Sequence, residues 1–343
     1  MNKFMKALEC TRPGKLEYKE IARPVLKKGQ AIIRIRNIGV CGTDLHAYEG
    51  TQPFFEYPRI LGHELSGELA DIDGAPGFNK GETVTFLPYL NCGHCIACRN
   101  GKTNCCVNLK TCGVHIDGGM TEYYSVPSRL LLHSQGLTLE ELAVVEPLSI
   151  GAHGIRRAAV QAGEFVLVMG AGPIGLAALQ IAGLKGANLI VMDQNAHRLN
   201  FCGEVLGLSH IIDVREGKMK DQLLEITSGD MPAVVIDATG NRKAINTGLS
   251  YLAHGGRYIL IGLQKEEINL SHPEFHKREA TLMSSRNATR ADFEEVILYI
   301  QKKMLDPGAF ITNRVKFSQV ARDFSRWLDP AGNTIKVMIE NDE

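Results

Sequence analysis

Apolar and polar positions along the chain change style near residue 150. Before about Ser149, short alternating runs such as Ala31–Ile38, Glu82–Leu87 and Glu122–Val126 are separated by loops rich in Gly and Pro. That pattern predicts an irregular, mostly antiparallel β domain. Thr138-Leu-Glu-Glu141 has the form of a capping box and predicts a helix start. From about Ile150 to Ser285, apolar runs alternate with helical patterns. The runs are Val166–Met169, Leu189–Met192, His210–Asp213, Ala233–Asp237, Tyr258–Ile261 and Thr281–Ser284. Strands spaced this way by helices predict an α/β, doubly wound parallel sheet. The last part holds a helical pattern over Arg290–Lys303 and a strand near Thr334–Ile339.

Length supports two domains, because 343 residues exceed what one ordinary core encloses. The uncharged run Phe165–Leu184 is long enough to span a membrane. Gly170, Gly172, Pro173 and Gly175 interrupt it, however, and a buried strand followed by a helix over Ile174–Leu184 explains its apolarity better. The 38 basic and 38 acidic residues cancel, so there is no basic field for nucleic acid and no polybasic membrane anchor. No apolar stretch near the N-terminus suggests a secretory signal.

Four of the nine cysteines crowd one stretch, N-C-G-H-C-I-A-C-R-N-G-K-T-N-C-C. Cys92, Cys95 and Cys98 are spaced by three, and either Cys105 or Cys106 follows as a fourth. Thiolates at this spacing can close a tetrahedral shell around Zn2+, and a closed shell leaves no position for substrate, so this zinc would be structural. The alternative, buried or disulfide-bonded cysteines, fits a Gly- and Asn-rich loop poorly, since near-neighbour disulfides would close tiny strained rings. With these cysteines given to metal, the chain reads as a protein of a reducing, cytoplasmic compartment.

Gly170-Ala-Gly172-Pro173-Ile174-Gly175 follows an apolar strand and opens a helix. That is the context in which a glycine loop holds a pyrophosphate on a helix N-terminus. Asp193 ends the next strand, where a carboxylate would bond the ribose hydroxyls of NAD and repel the extra phosphate of NADP. Its bland alternative is a solvated loop residue. Arg198 is read as flanking the adenine side. A third constellation is Cys41-Gly-Thr43-Asp-Leu-His46 with Gly62-His63-Glu64. Thiolate, imidazole and carboxylate are the ligands of a catalytic zinc with one position left open. Glu146 lies in an apolar segment where an unpaired carboxylate is costly. A nearby metal or metal-bound water would remove that cost, as would an arginine such as Arg156.

Together these stretches resemble the zinc-dependent medium-chain dehydrogenase/reductases, of the sorbitol and threonine dehydrogenase branch. The likeness rests on C-G-T-D-L-H, L-G-H-E-L-S-G, C-G-H-C-I-A-C, D-G-G-M-T-E-Y, V-E-P-L-S, G-A-G-P-I-G, V-I-D-A-T-G and G-G-R-Y-I-L-I-G, in family order over nearly the whole length. It implies a GroES-like catalytic domain over 1–149 and 287–343, with a structural zinc lobe at about 91–107, and a Rossmann domain over 150–286. It favours Cys106 as the fourth thiol of the lobe. It implies a catalytic zinc at Cys41, His63 and Glu64 or Glu146, and cofactor contacts that include Thr239. A closer resemblance, to bacterial hexonate dehydrogenases, covers H-A-Y-E-G-T-Q-P-F-F-E-Y-P-R-I-L-G-H-E, G-V-H-I-D-G-G and P-E-F-H-K-R-E-A-T-L-M-S-S-R-N-A-T.

The implied reaction is oxidation of a secondary hydroxyl on a sugar acid, such as L-galactonate or L-gulonate at C5, by NAD. Zinc would polarise the hydroxyl. Thr43 would take its proton and relay it, through the cofactor ribose, to His46. The expected site is a cleft at the carboxyl ends of the parallel strands. Arg286, Asn287 and Glu146 are substrate candidates. Arg286 could clamp a carboxylate, bond a polyol hydroxyl or form a domain-interface ion pair, and Arg290 is held in reserve. Apolar late strands and the family habit of joining sheet edges imply a homodimer or homotetramer. The rivals are a polyol or threonine dehydrogenase, a non-catalytic sensing role on the same fold, and a zinc-ribbon nucleic-acid module. Charge neutrality and the lack of a basic or aromatic stripe around the cysteines argue against the last.

Overall fold

Strand Gln30–Gly39 is the spine of the first unit, and most of its residues are buried. It pairs antiparallel with Glu64–Ile72, Tyr123–Pro127 and Lys336–Glu340. Leu131–His133, Thr83–Phe86 and Ile311–Lys316 complete a seven-stranded sheet. This computed structural model describes residues 3–53, 55–329 and 332–341. Two smaller sheets belong to the same unit. Phe4–Arg12 pairs with Lys15–Ala22 and Arg59–Ile60, and Tyr89–Leu90 pairs with Lys110–Thr111. The latter pair brackets the cysteine-rich loop. Thr138 caps helix Leu139–Ala143 through a capping box with Glu141.

The second unit holds a six-stranded sheet in the order His210–Asp213, Asn188–Asp193, Phe165–Met169, Val234–Asp237, Arg257–Leu260, Thr281–Ser284. Every neighbouring pair is parallel. Strand order reverses beside Phe165–Met169, the place where doubly wound sheets bind ligands at their carboxyl ends. One core layer contains Leu167, Met169, Ile190, Ile212, Val235 and Tyr258. The Tyr258 hydroxyl donates to the Ile245 carbonyl at 2.8 Å, so this buried phenol is satisfied. Of the two late strands, Thr281–Ser284 is the edge and Arg257–Leu260 lies one place inside.

The chain divides at Glu146/Pro147 and Ala288/Thr289, against expected breaks at 149/150 and 286/287. The first expectation followed the onset of alternating strands and helices, but a single helix, Val145–Ala158, runs through that point. The run Phe165–Leu184 is strand Phe165–Met169 and helix Pro173–Leu184. Among the described residues no helix is long and apolar enough to cross a membrane.

Two glycines, one in the turn after that strand and one in the first turn of that helix, are required by geometry. Gly170 has φ 99°, and a Cβ on Gly175 would lie 1.8 Å from the Gly170 carbonyl oxygen. Gly175→Val should therefore cost about 1–3 kcal/mol through overpacking and spoil the loop. Thermal unfolding checks this, and a midpoint equal to that of the natural protein contradicts it.

Candidate active site

Helix Gly42–Glu49 starts at Cys41, whose Sγ accepts the Thr43 N–H at 3.4 Å. Asp44, fully buried, accepts the Cys41 N–H at 3.0 Å through one oxygen and the Gly62 N–H at 3.2 Å through the other. One carboxylate thus pins both the Cys41 turn and the turn before His63. Burial raises the Asp44 pKa, with the His63 charge opposing the rise. Burial works against a charged His63, yet the neighbouring Cys41, Asp44 and Glu146 hold its pKa well above the usual value. The Nδ1 of His63 is buried without a hydrogen-bond partner and lies 3.9 Å from Asp44 Oδ1. Ligand atoms of Cys41, His63 and Glu64 lie within 4.8 Å of one another.

The two candidate third ligands are held differently. Glu64 is fully buried and takes both oxygens to Lys336 Nζ, at 2.6 and 2.7 Å. Lys336 is itself buried and also donates to the Val40 carbonyl at 3.1 Å. Glu146 lies outside the tight three-residue group and accepts a hydrogen bond from the Tyr89 hydroxyl. Burial pushes its pKa up to about 7. The arginine considered for it, Arg156, faces His153 Nδ1 at 3.0 Å.

Around Cys41 the acids Asp44, Glu64 and Glu146 face the cationic partners His63 and Lys336. A buried surplus of anionic donors is costly unless a cation joins it. A thiolate, an imidazole and a carboxylate within reach of one another fit zinc. Cys41 is only half-buried, which leaves approach to the group open.

In the cysteine lobe, Cys92, Cys95, Cys98 and Cys106 bring their sulfurs within 4.8 Å of one another. Cys105 is exposed and stands outside this group. All nine cysteines are free thiols. Cys106 Sγ accepts the Cys92 N–H at 3.2 Å, and Cys98 Sγ accepts the Asn91 side-chain amide at 3.5 Å. Backbone N–H groups of Cys98 and Val107 lower the Cys95 pKa to about 6, while burial pushes Cys106 up to about 11. Converging thiols already bonded by N–H donors fit a closed zinc shell.

At the glycine loop, Gly172 caps helix Pro173–Leu184, with Pro173 in its first turn followed by Ile174. Asp193 is engaged: its carboxylate accepts the Ala171 N–H at 2.5 Å and the Asn195 N–H at 2.8 Å. The Arg198 guanidinium stands 3.5 Å from where a Gly172 Cβ would be, and its Nε is buried without a partner. Thr239 abuts Gly170, its methyl 3.0 Å from a Cβ built there. Its hydroxyl donates to buried Asp237. The structure therefore gathers Asp193, Arg198 and Thr239 around the glycine loop, and the backbone can approach a pyrophosphate there.

Residues 27–136 match the alcohol dehydrogenase GroES-like domain, and residues 173–302 match the zinc-binding dehydrogenase domain. The chain belongs to the zinc-binding alcohol dehydrogenase family. This dehydrogenase is 41% identical over 323 residues to L-galactonate-5-dehydrogenase of Escherichia coli K12, covering 94% of this chain and 95% of that one. It is 32% identical over 343 residues to a sorbitol dehydrogenase of Halalkalibacterium halodurans, covering 98% and 99%. The solved structure of RspB from Escherichia coli CFT073, complexed with NADH, superposes with a TM-score of 0.91 at 29% identity, covering 99% of this chain and 100% of that one.

Other anticipated site residues of the dehydrogenase lie as follows. Thr43 and His46 sit three apart on helix Gly42–Glu49, hence on one face. His46 Nδ1 is 3.2 Å from both Glu49 and Thr51 Oγ1, and the ring is largely exposed. Arg286 is exposed, and Asn287 has φ 51° with its amide nitrogen buried and without a partner. Arg290 is not a spare cation: it donates to the Leu131 carbonyl at 3.2 Å and the Arg129 carbonyl at 2.5 Å.

Sequence reasoning missed Asp44, Lys336 and Tyr89. Asp44 had a signal, standing three residues after Cys41 as a capping box requires. Lys336 left only a lysine inside the apolar run T-I-K-V-M-I, and Tyr89 left none.

Removing Lys336 strands Glu64. Lys336→Met should cost about 3–5 kcal/mol, read by denaturant unfolding, and a loss below about 1 kcal/mol contradicts the pair's importance. For the metals, Cys95→Ser should lose one zinc and destabilise the protein. Cys41→Ser should lose the other zinc and turnover while remaining folded. Elemental analysis of the natural protein giving fewer than two zincs contradicts the assignment.

Proposed function

We propose that this dehydrogenase oxidises a secondary hydroxyl of a sugar acid, a hexonate such as L-galactonate or L-gulonate at C5, to the keto acid with NAD. The observation that carries the reading is the 41% identity to L-galactonate-5-dehydrogenase across nearly both chains. The NADH complex of the similar RspB supports the choice of cofactor. Asp193 at the glycine loop supports NAD over NADP, because a carboxylate there repels a 2′-phosphate.

Cys41, His63 and one of Glu64 and Glu146 would hold the catalytic zinc, and Cys92, Cys95, Cys98 and Cys106 the structural one. When bound, the catalytic zinc lowers the pKa of a coordinated hydroxyl and the nicotinamide accepts a hydride. The chain's own residues do the rest. Asp44 fixes the turns that carry Cys41 and His63. The Thr43 hydroxyl accepts the substrate proton as it releases its own outward, and His46, exposed on the same helix face, takes up the relayed proton toward solvent. The glycine loop and the start of helix Pro173–Leu184 bind the pyrophosphate. Arg286, exposed just after the last parallel strand, clamps the substrate carboxylate, with Asn287 beside it. Assembly as a dimer or tetramer through the edge strand Thr281–Ser284, and a reducing cytoplasmic setting suited to nine free thiols, complete the reading.

Absorbance at 340 nm with hexonates, hexitols and threonine tests the substrate class. A hexonate should give the highest kcat/KM, and Arg286→Ala should raise its KM about a hundredfold, roughly 3 kcal/mol, while changing a neutral hexitol far less. A natural enzyme that prefers the hexitol, or equal damage to both substrates, favours polyol dehydrogenase activity, which the similarity to sorbitol dehydrogenase supports. Asp193→Ala should weaken NAD and relieve the block on NADP. Equal or better kcat/KM with NADP in the natural protein contradicts that role.

A further inference from the structure

Tyr89 belongs to the two-residue strand at the base of the cysteine lobe and is 4% exposed. Its ring stands edge-on to Phe293, with centroids 6.1 Å apart and planes at 79°. Its hydroxyl donates to Glu146 Oε1. Two residues on, the Asn91 amide nitrogen donates to Cys98 Sγ at 3.5 Å, while its amide oxygen accepts from Arg129 at 3.2 Å. The next N–H, of Cys92, donates to Cys106 Sγ at 3.2 Å. Residues 89–92 therefore touch the carboxylate beside His63 at one end and the thiols of the lobe at the other.

We propose that Tyr89 is a positioning residue that sets the orientation of Glu146, and that through it the cysteine lobe and the active-site carboxylate are mechanically linked. A ring packed on Phe293 has little freedom, so its hydroxyl is a fixed donor rather than a mobile one. A carboxylate bonded by a fixed donor presents its remaining lone pairs in one direction. Outer groups of this kind orient the groups beside a metal, and their loss typically costs about 10–100-fold in metal affinity or activity. The anchor for that donor is the strand pair from which the lobe hangs. An open lobe loosens the strand, and with it the grip on Glu146. The two zinc sites, in the reading above on which this inference rests, are thus separate in ligands and joined by a segment of backbone.

The test uses the zinc-loaded enzyme. Tyr89→Phe keeps the ring and its packing and removes only the donor. It should release one of the two zincs to a colorimetric chelator about tenfold faster or more. Its kcat should fall by a similar factor, with the KM for NAD unchanged. In a Glu146→Gln background, Tyr89→Phe should add nothing to either loss. Asn91→Ala leaves Tyr89 and every ligand in place, and should speed release of both zincs. Natural release and turnover in Tyr89→Phe overturn the inference, as does the same loss in the Glu146→Gln background. Release of the lobe zinc alone from Asn91→Ala overturns the linkage. Natural enzyme that holds fewer than two zincs overturns the underlying zinc reading instead, a result distinct from these.

Discussion

A lysine buried against Glu64 governs the chemistry around Cys41 and His63. Lys336 lies on strand Lys336–Glu340, which pairs with Gln30–Gly39, and its ammonium bonds both Glu64 oxygens and the carbonyl of Val40. Val40 precedes Cys41, and Glu64 follows His63. One charge thus braces the turns that carry Cys41 and His63 and binds strand Lys336–Glu340 to them. A buried ion pair adds little net stability over an apolar pair, but breaking it is expensive. Its value here is arrangement. With Glu64 neutralised by Lys336, a second carboxylate, Glu146, can be buried nearby, leaving a net anionic group suited to a divalent cation.

Acids tie the loops of both units in the same way. Asp44 accepts N–H groups from two separate turns. Asp193 accepts from the glycine loop and from its own turn, and Asp237 accepts from Thr239 and Gly240 at the end of the neighbouring strand. Each is a short side chain at or beside an element end, where free backbone donors accumulate. The loops at Cys41, at Gly170 and at Thr239 are thereby held by side-chain carboxylates rather than by strand pairing.

Much of this was legible in the sequence because it is local. The six parallel strands, the capping box at Thr138 and the glycine loop each follow from residues close together in the chain. Cysteine spacing likewise indicated the group that the structure brings together, and the structure leaves Cys105 outside it. What stayed hidden depends on distant partners. Lys336 meets Glu64 across 272 positions, and Tyr89 meets Glu146 across 57. No periodicity reports such pairs. Arg290 looked like a spare cation for the same reason, since its carbonyl partners lie about 160 positions away.

The buried group at Cys41 and His63 should hold a catalytic zinc distinct from the one in the cysteine lobe. Diffraction from crystals of the protein, recorded on both sides of the zinc absorption edge, tests it most directly. Two anomalous peaks per chain are expected, one among Cys92, Cys95, Cys98 and Cys106, and one against Cys41 and His63. A map with no peak at Cys41 and His63, from protein active with its substrate, contradicts it.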